Sequence, residues 1–277
     1  MSRKKTKAKT KTKRRTAATS DRYELYEQSV QEPKDECEFI EQIWSEHRRR
    51  RARDIREDFC GTAAVCMEWV KRHRSNTAIG VDNDPTVLAW AKTRLPDRLS
   101  PEQCGRVKLR TRDVQTVRTP PVDTVLAMNF SYYLFKKRPE LRRHFTRVRS
   151  ALVDDGISLL DAYGGSDAFL ELEEKRKVNG FTYVWDQHAY DPITADAVNH
   201  IHFRFSDGSE LKKAFTYSWR LWTLRELQEL LEEAGFSRVR VYWEGTDEKT
   251  NEGNGEWKMA ARGEACPGWV AYLVAEK

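Results

Sequence analysis

Polar and basic residues fill positions 1–20 without apolar periodicity, and the first ordered pattern starts at Asp21-Arg22-Tyr23-Glu24-Leu25-Tyr26. From about Lys34 to Arg50, Phe39, Ile40, Ile43 and Trp44 recur at helical spacing, which predicts one helix with a single buried stripe. His47-Arg48-Arg49-Arg50-Arg51 closes it, where cations suit a helix C-terminus. Strand and helix signals then alternate. Strands are expected near 53–58, 77–82, 107–111, 122–129 and 156–162, and helices near 62–74, 85–95 and 139–152. Asp84 and Pro85 mark a helix start as N-cap and first helical residue. Strands alternating with helices predict a parallel sheet covered on both faces.

The period changes at Gly180. Phe181–Trp185, His200–Phe205 and Ala214–Trp219 alternate in the manner of strands, and Ser206-Asp207-Gly208-Ser209 joins the last two as a hairpin turn. These segments predict a three-stranded antiparallel insertion over about 178–220. The helical period returns at Thr223, which forms a capping box with Glu226. Leu224, Leu227, Leu230 and Leu231 make the stripe, and Gly235 stops the helix. Final strands are expected near 237–243 and 269–275, with a long loop between them. The chain therefore divides into a tail at 1–20 and one α/β domain at 21–277.

Charge sharpens that division. The chain of 277 residues carries a formal +6, yet residues 1–15 alone hold nine Lys or Arg and no acid, which leaves the other 262 residues at −3. The tail is expected to be disordered. It offers nonspecific contact with nucleic acid, while the acidic body argues against a broad nucleic-acid surface. No run of eighteen apolar residues is present, so no membrane span is expected, and no apolar stretch follows the basic start as in a secretory signal. The five cysteines form no Cys-x-x-Cys pair, so no metal motif is read from them, and they fit reduced thiols in a cytoplasmic protein.

The candidate chemistry lies in the first strand–turn–helix unit. Asp54–Ala64 reads as a strand, a tight turn at Gly61 and a helix, and Gly80-Val81-Asp82-Asn83 ends the next strand in a carboxylate. The turn places backbone N–H groups at a helix N-terminus, and Asp82 stands where ribose hydroxyls are bound. A dinucleotide turn needs three glycines to admit the pyrophosphate. Here Phe59 and Ala63 flank Gly61, which argues against NAD. A nucleoside cofactor without phosphates, such as S-adenosylmethionine, asks for less.

Glu57-Asp58-Phe59-Cys60-Gly61-Thr62-Ala63 resembles the first motif of the class I S-adenosylmethionine-dependent methyltransferases. Asp82 resembles their ribose-binding acid, Arg112-Asp113-Val114 their adenine-contacting segment, and Ala127–Tyr133 their fourth-strand motif. The resemblance spans about residues 21–277. The insertion and the Tyr-containing N-terminal segment are similar to small-molecule N-methyltransferases, including sugar amine dimethyltransferases and glycine N-methyltransferase. The resemblance implies a Rossmann-like seven-stranded sheet of order 3-2-1-4-5-7-6, the last strand antiparallel, with the insertion as lid or substrate wall. It implies S-adenosylmethionine as cofactor, held by Tyr23, Glu57, Phe59, Cys60, Gly61, Thr62, Asp82, Asn83, Asp113, Val114, Asn129 and Phe130.

The expected reaction is methyl transfer to N or O of an acceptor, with a small molecule ahead of RNA or protein. A non-catalytic module that binds nucleic acid through the tail is the rival reading. Ligands of open α/β sheets bind beyond the carboxyl ends of the strands. Asn129–Tyr133, Tyr163 and Trp243–Asp247 are therefore expected to line the site or its rim. His200 and His202 share a strand face and, with Tyr132, are the candidates for proton transfer, with His188 as a further imidazole. Tyr23 and Tyr26 are candidate aromatic neighbours of a sulfonium.

Overall fold

A computed structural model describes residues 15–246 and 253–277. Strands β1 (Asp54–Asp58), β2 (Thr77–Asp82), β3 (Val107–Thr111), β4 (Val122–Ala127) and β5 (Leu152–Gly164) run parallel in the order 3-2-1-4-5. After the insertion, β10 (Arg238–Thr246), β11 (Gly253–Met259) and β12 (Trp269–Glu276) complete the sheet. Strand β12 enters antiparallel between β5 and β10. The sheet has eight strands rather than the expected seven. The addition is β11, which pairs antiparallel with β10 at the outer edge, in the Gly- and Asn-rich stretch that reads as loop. Trp257, packed at a tilt on Tyr272 with ring centroids 4.2 Å apart, gives this edge strand its anchor.

Helices α1 (Arg22–Ser29), α2 (Pro33–His47), α3 (Ala64–Arg72), α4 (Pro85–Arg98), α5 (Pro101–Gly105), α6 (Arg138–Ser150) and α7 (Leu224–Glu233) surround it. Phe39, Ile40, Ile43 and Trp44 of α2 pack with Val65, Met67 and Trp69 of α3 against one sheet face. Leu141, Phe145 and Val148 of α6 pack with Leu227, Leu230 and Leu231 of α7 against the other. Each helical stripe buries against a sheet face, as a three-layer α/β domain requires. Helix α2 stops at His47, short of the expected Arg50. Arg48 leaves the helix to bond Glu276 on β12 and the Asp155 carbonyl, while Arg50 pairs with Asp123 and Asp155. The charge run is thus a set of ties to the amino ends of the strands.

The insertion between β5 and α7 is four-stranded, not three-stranded: β6 (Leu172–Val178), β7 (Phe181–Asp191), β8 (Asp196–Phe205) and β9 (Glu210–Arg220) form an antiparallel meander. Strand β6 escapes sequence detection because Glu173, Glu174, Lys175, Arg176 and Lys177 leave it without an apolar face. It is an edge strand, where charge discourages further pairing.

The expectation of a disordered tail falls mostly outside the described residues, since it covers 1–20. Arg15–Ser20 are structured. Ala17–Thr19 make one 3-10 turn, the Ala17 N–H donates to Ser209 Oγ at 2.9 Å, and Arg15 bonds Gln28 and the Asn179 carbonyl. No helix among the described residues is long and apolar enough to cross a membrane.

Candidate functional site

A cavity of about 620 Å³ opens at the carboxyl ends of β1, β2 and β4, beneath α1 and β9. Its floor is the β1–α3 turn. Phe59, Gly61 and Ala63 all take left-handed φ, near +59°, +48° and +59°. Gly61 suits that conformation, whereas each L side chain there costs on the order of 1–2 kcal/mol. The two positions where a glycine is expected therefore keep the glycine-type backbone with side chains attached. Cys60 tucks against Gly80, where an added Cβ would sit 2.8 Å from its Sγ.

Carboxylates hold this turn in place. Asp82 Oδ2 accepts the Gly61 N–H at 2.8 Å and Oδ1 accepts the Asp84 N–H at 2.9 Å. Burial raises Asp82 above the ordinary value despite those bonds. Ala63 cannot cap α3, so Glu57 does so from the strand: its carboxylate accepts the Cys66 N–H at 3.2 Å and lies 3.0 Å from Cys66 Sγ. Burial pushes Glu57 up to about 7. Arg56 and Asp58 point to the opposite strand face, both 1% exposed, and pair side-on at 2.7 and 3.0 Å. Burial raises the Asp58 carboxyl, and the guanidinium opposes that rise. Next to this pair, Asp161 of β5 accepts the N–H groups of Asn129 and Phe130 at 2.7 and 2.9 Å. That contact fixes the left-handed φ of both residues at the end of β4. Burial lifts Asp161 to about 7.

The roof is aromatic. Tyr26 packs on Phe215 with centroids 4.8 Å apart, and Tyr217 stacks on Trp219 at 4.5 Å. Burial raises the phenols of both Tyr26 and Tyr217. Helix α1 is tied to α4 by polar contacts: Trp90 Nε1 donates to Asp21, Arg94 pairs with Glu24, and Arg98 forms a bidentate pair with Glu27. Thr62 Oγ1 donates to Gln31 Oε1 at 2.8 Å and joins floor to roof.

A narrow passage of about 90 Å³ leaves this cavity, sharing Tyr26, Asn129, Tyr217 and Trp219 with it. It shares Phe130 and Trp185 with an outer pocket of about 360 Å³, whose mouth carries Asp167, Glu174 and Glu244. The three hollows thus adjoin one another through shared walls.

No family model and no curated protein matches the sequence. Solved structures do. An S-adenosylmethionine-dependent methyltransferase from Clostridium acetobutylicum superposes with a TM-score of 0.67 at 14% identity, over 92% of this chain and 96% of that one. An amino pentose methyltransferase from Micromonospora echinaspora, solved with bound S-adenosylmethionine, gives 0.64 at 18%, over 93% and 97%. A sugar N-methyltransferase from Streptoalloteichus gives 0.62 at 17%, over 100% and 98%. The chain has the fold of the class I S-adenosylmethionine-dependent methyltransferases. At these identities the likeness is one of fold.

On this methyltransferase fold, the expected cofactor residues fall into two groups. Tyr23, Glu57, Phe59, Gly61, Thr62, Asp82 and Asn129 line the main cavity. Cys60, Asn83, Asp113, Val114 and Phe130 do not. Cys60 and Val114 are buried in the two packing layers, Asp113 is exposed with its carboxylate turned to the Gln115 N–H, and Phe130 faces the passage. Arg22, Gln31, Asp84 and Lys213 also line the cavity without having been expected there, as do Met128 of the fourth-strand motif and Ala214–Trp219 of the insertion expected as lid or substrate wall. Of these, β9 carried a signal, since its alternation marks one face.

The candidates for proton transfer lie elsewhere. Tyr132 is fully buried and its O–H donates to the Asp161 carbonyl at 2.7 Å. His200 and His202 are buried on the sheet face opposite Ile201 and Phe203, which pack toward Leu25 of α1. His202 is fully bonded, with Nδ1 accepting the Lys213 N–H at 2.8 Å and Nε2 3.1 Å from Asp186. None of the three lines the main cavity or the passage. The strand period was right, and it points the imidazoles away from the site. Of the expected rim, Trp243 packs on Trp269, Tyr163 stacks on Tyr133, and Asp247 lies outside the described residues.

Proposed function

We propose that the protein is an S-adenosylmethionine-dependent methyltransferase acting on an amine nitrogen of a small-molecule acceptor. The observation that carries this reading is the charge of the cavity. Glu57, Asp82 and Asp84 line it beside the neutralised Arg56–Asp58 pair, against Arg22 and Lys213. Such a surface repels a pyrophosphate and favours a cofactor that brings an ammonium and a sulfonium. The residues fit that group. Asp82 keeps acceptor capacity for ribose hydroxyls after its two backbone bonds, and Tyr26 lines the cavity as an aromatic neighbour for a cation, while Tyr23 and Phe215 already face the Arg22 guanidinium. The solved neighbours include proteins described as an amino pentose methyltransferase, a sugar N-methyltransferase and a glycopeptide N-methyltransferase.

The cofactor supplies an activated methyl group in one in-line displacement. This chain's residues position the reactants and exclude water. Tyr26, Tyr217, Trp219 and Phe130 wall the passage, so an acceptor entering it loses its hydration before it reaches the floor. A dry aromatic wall favours the neutral amine over the ammonium, and the neutral amine is the nucleophile. Asp167, Glu174 and Glu244 at the outer mouth attract the protonated amine and take the role of a recruiting surface. A neutral amine needs no general base in the transition state, in keeping with the distance of His200 and His202 from the cavity.

Calorimetric titration of the purified chain with S-adenosylmethionine, S-adenosylhomocysteine and NAD tests the cofactor. The expected result is micromolar binding of the two sulfur compounds and none of NAD. Absence of sulfur-compound binding would overturn the reading. A panel of amine and hydroxyl acceptors with labelled cofactor then tests the nitrogen assignment, and label in the hydroxyl set alone would refute it.

A further inference from the structure

We propose that Asp186, His188 and His200 form a site for one divalent cation of the zinc class on the outer face of the four-stranded sheet. One ligand atom from each residue lies within 4.8 Å of the other two, and this is the one such group of three among the described residues. Two imidazoles and one carboxylate suit Zn²⁺ and its first-row neighbours, whereas Mg²⁺ and Ca²⁺ prefer oxygen.

A second observation is independent of this spacing. His200 is 3% exposed, its Nδ1 is bonded to Thr216 Oγ1 at 3.0 Å, and its Nε2 has no hydrogen-bond partner. A buried nitrogen without a partner costs about 1–3 kcal/mol. A cation between Asp186 and His188 would satisfy it. The surroundings are already arranged as metal sites require. Thr216 orients His200 from behind, and His202 Nε2 bonds Asp186 Oδ2 at 3.1 Å, the oxygen that also faces His188 Nδ1 at 4.0 Å, so His202 orients the carboxylate from outside the ligand set. His188 sits where the β7–β8 register shifts between Gln187 and Ala189, a bulge of the kind that re-aims a side chain.

Tetrahedral ligands at zinc bond lengths lie about 3.3 Å apart. The group must therefore contract, and His188 is the member free to move. Its side chain is 55% exposed, and its Nδ1 stands 4.0 Å from Asp186. Three protein ligands leave a fourth position for water. The cation would clip β7 to β8 at the directly paired Asp186 and His200. The next pair, Trp185 and Ile201, turns to the aromatic passage, so the clip would stiffen the passage wall from outside.

The test is Zn²⁺ titration of the full-length, tag-free chain, with Co²⁺ as spectroscopic probe and Mg²⁺ as control. One Zn²⁺ per chain is expected, with no competition from Mg²⁺ and a cobalt spectrum lacking thiolate charge-transfer bands. Changes behind metal ligands typically cost 10–100-fold in affinity, so losing a ligand in His188→Ala or His200→Ala should weaken binding by more than about 100-fold. His188 is more than half exposed and its one recorded ring contact is with His200 itself, so that variant tests the site even where His200→Ala disturbs the fold. His73→Ala, exposed at the end of α3, should bind as the parent does. Zinc should also raise the thermal midpoint of the parent and leave that of His188→Ala unmoved. No binding to the parent, unchanged binding in His188→Ala, or thiolate bands with cobalt would overturn the proposal.

Discussion

The floor and the roof of the main cavity are built by opposite means. Backbone N–H groups on buried carboxylates fix the floor: Gly61 on Asp82, Cys66 on Glu57, and Asn129 and Phe130 on Asp161. The roof consists of ring contacts among Tyr23, Tyr26, Phe215, Tyr217 and Trp219, with polar ties from α1 to α4. A hydrogen bond to a buried charge has one good geometry, so the floor is rigid and intolerant of change. Ring contacts accept a range of angles, so the roof adapts to what lies beneath it. A rigid floor suits a constant cofactor, and an adaptable roof suits an acceptor.

Breaking the floor should have the largest effect. Arg56→Ala leaves Asp58 buried without its partner, and denaturant unfolding should show a loss of about 3–5 kcal/mol. Replacing both residues by apolar side chains of similar volume should restore most of that loss, because the uncompensated charge is then gone. A loss below 1 kcal/mol in the single variant would show that the pair is wetter than its burial implies.

The next effect is on pH dependence. Glu57 moves from an ordinary value of 4.5 to about 7 in the folded state. The folded protein thus holds a proton that the unfolded chain releases. The associated stability is complete below about pH 4.5, is lost as pH rises toward 7, and amounts to about 3 kcal/mol at most. Glu57→Gln should reduce the fall in unfolding free energy over that window, with Asp161 and Asp58, also raised by burial, supplying the remainder. Glu57 also lines the cavity, so a cationic cofactor favours its ionised form, and cofactor affinity should rise with pH through about 7. Titration in two buffers of different ionisation enthalpy reads the released proton, and equal heats in both would contradict the assignment.

Asp82→Ala comes third. It removes a charged acceptor from the ribose position, and cofactor affinity should fall by more than about tenfold. An unchanged affinity would mean that the ribose lies elsewhere. Roof variants should separate from floor variants here. Trp219→Ala is expected to raise the acceptor KM several-fold while leaving cofactor affinity within about twofold. Equal effects on both ligands would erase the proposed division. The smallest effect is Ala63→Gly, which relieves a left-handed φ near +59° and loses one buried methyl. The two terms nearly cancel, and a gain below about 1 kcal/mol is expected.

The floor was legible residue by residue in the sequence, whereas the roof was legible only as elements, Tyr23 and Tyr26 and the insertion as lid, and not as contacts. A turn that binds through its backbone needs a local order of residues, so Glu57, Gly61 and Asp82 could be read from spacing. Phe59 and Ala63 looked like departures from the motif, yet their φ values show the motif's backbone retained under different side chains. The roof joins residues about 190 apart in sequence, as in Tyr26 against Phe215 and Tyr217, and no local pattern encodes that contact. His200 and His202 were assigned to the correct strand face, but the orientation of that face depends on the packing of Leu25 against Ile201 and Phe203. Edge strands β6 and β11 were missed because charge or glycine removes the alternation by which a strand is read.

The polar attachment of α1 has a kinetic side. Its ties to α4 run through Glu24–Arg94 and Glu27–Arg98, both partly exposed and so open to screening by salt. The carboxylate bonds of the floor are less exposed: that of Glu57 is buried and those of Asp82 and Asp161 are part-buried. Ionic strength therefore acts more strongly on one wall of the cavity than on the other. Salt should loosen the helix that covers the bound molecule more than the grip beneath it, making the escape of spent cofactor the step in turnover most responsive to the medium.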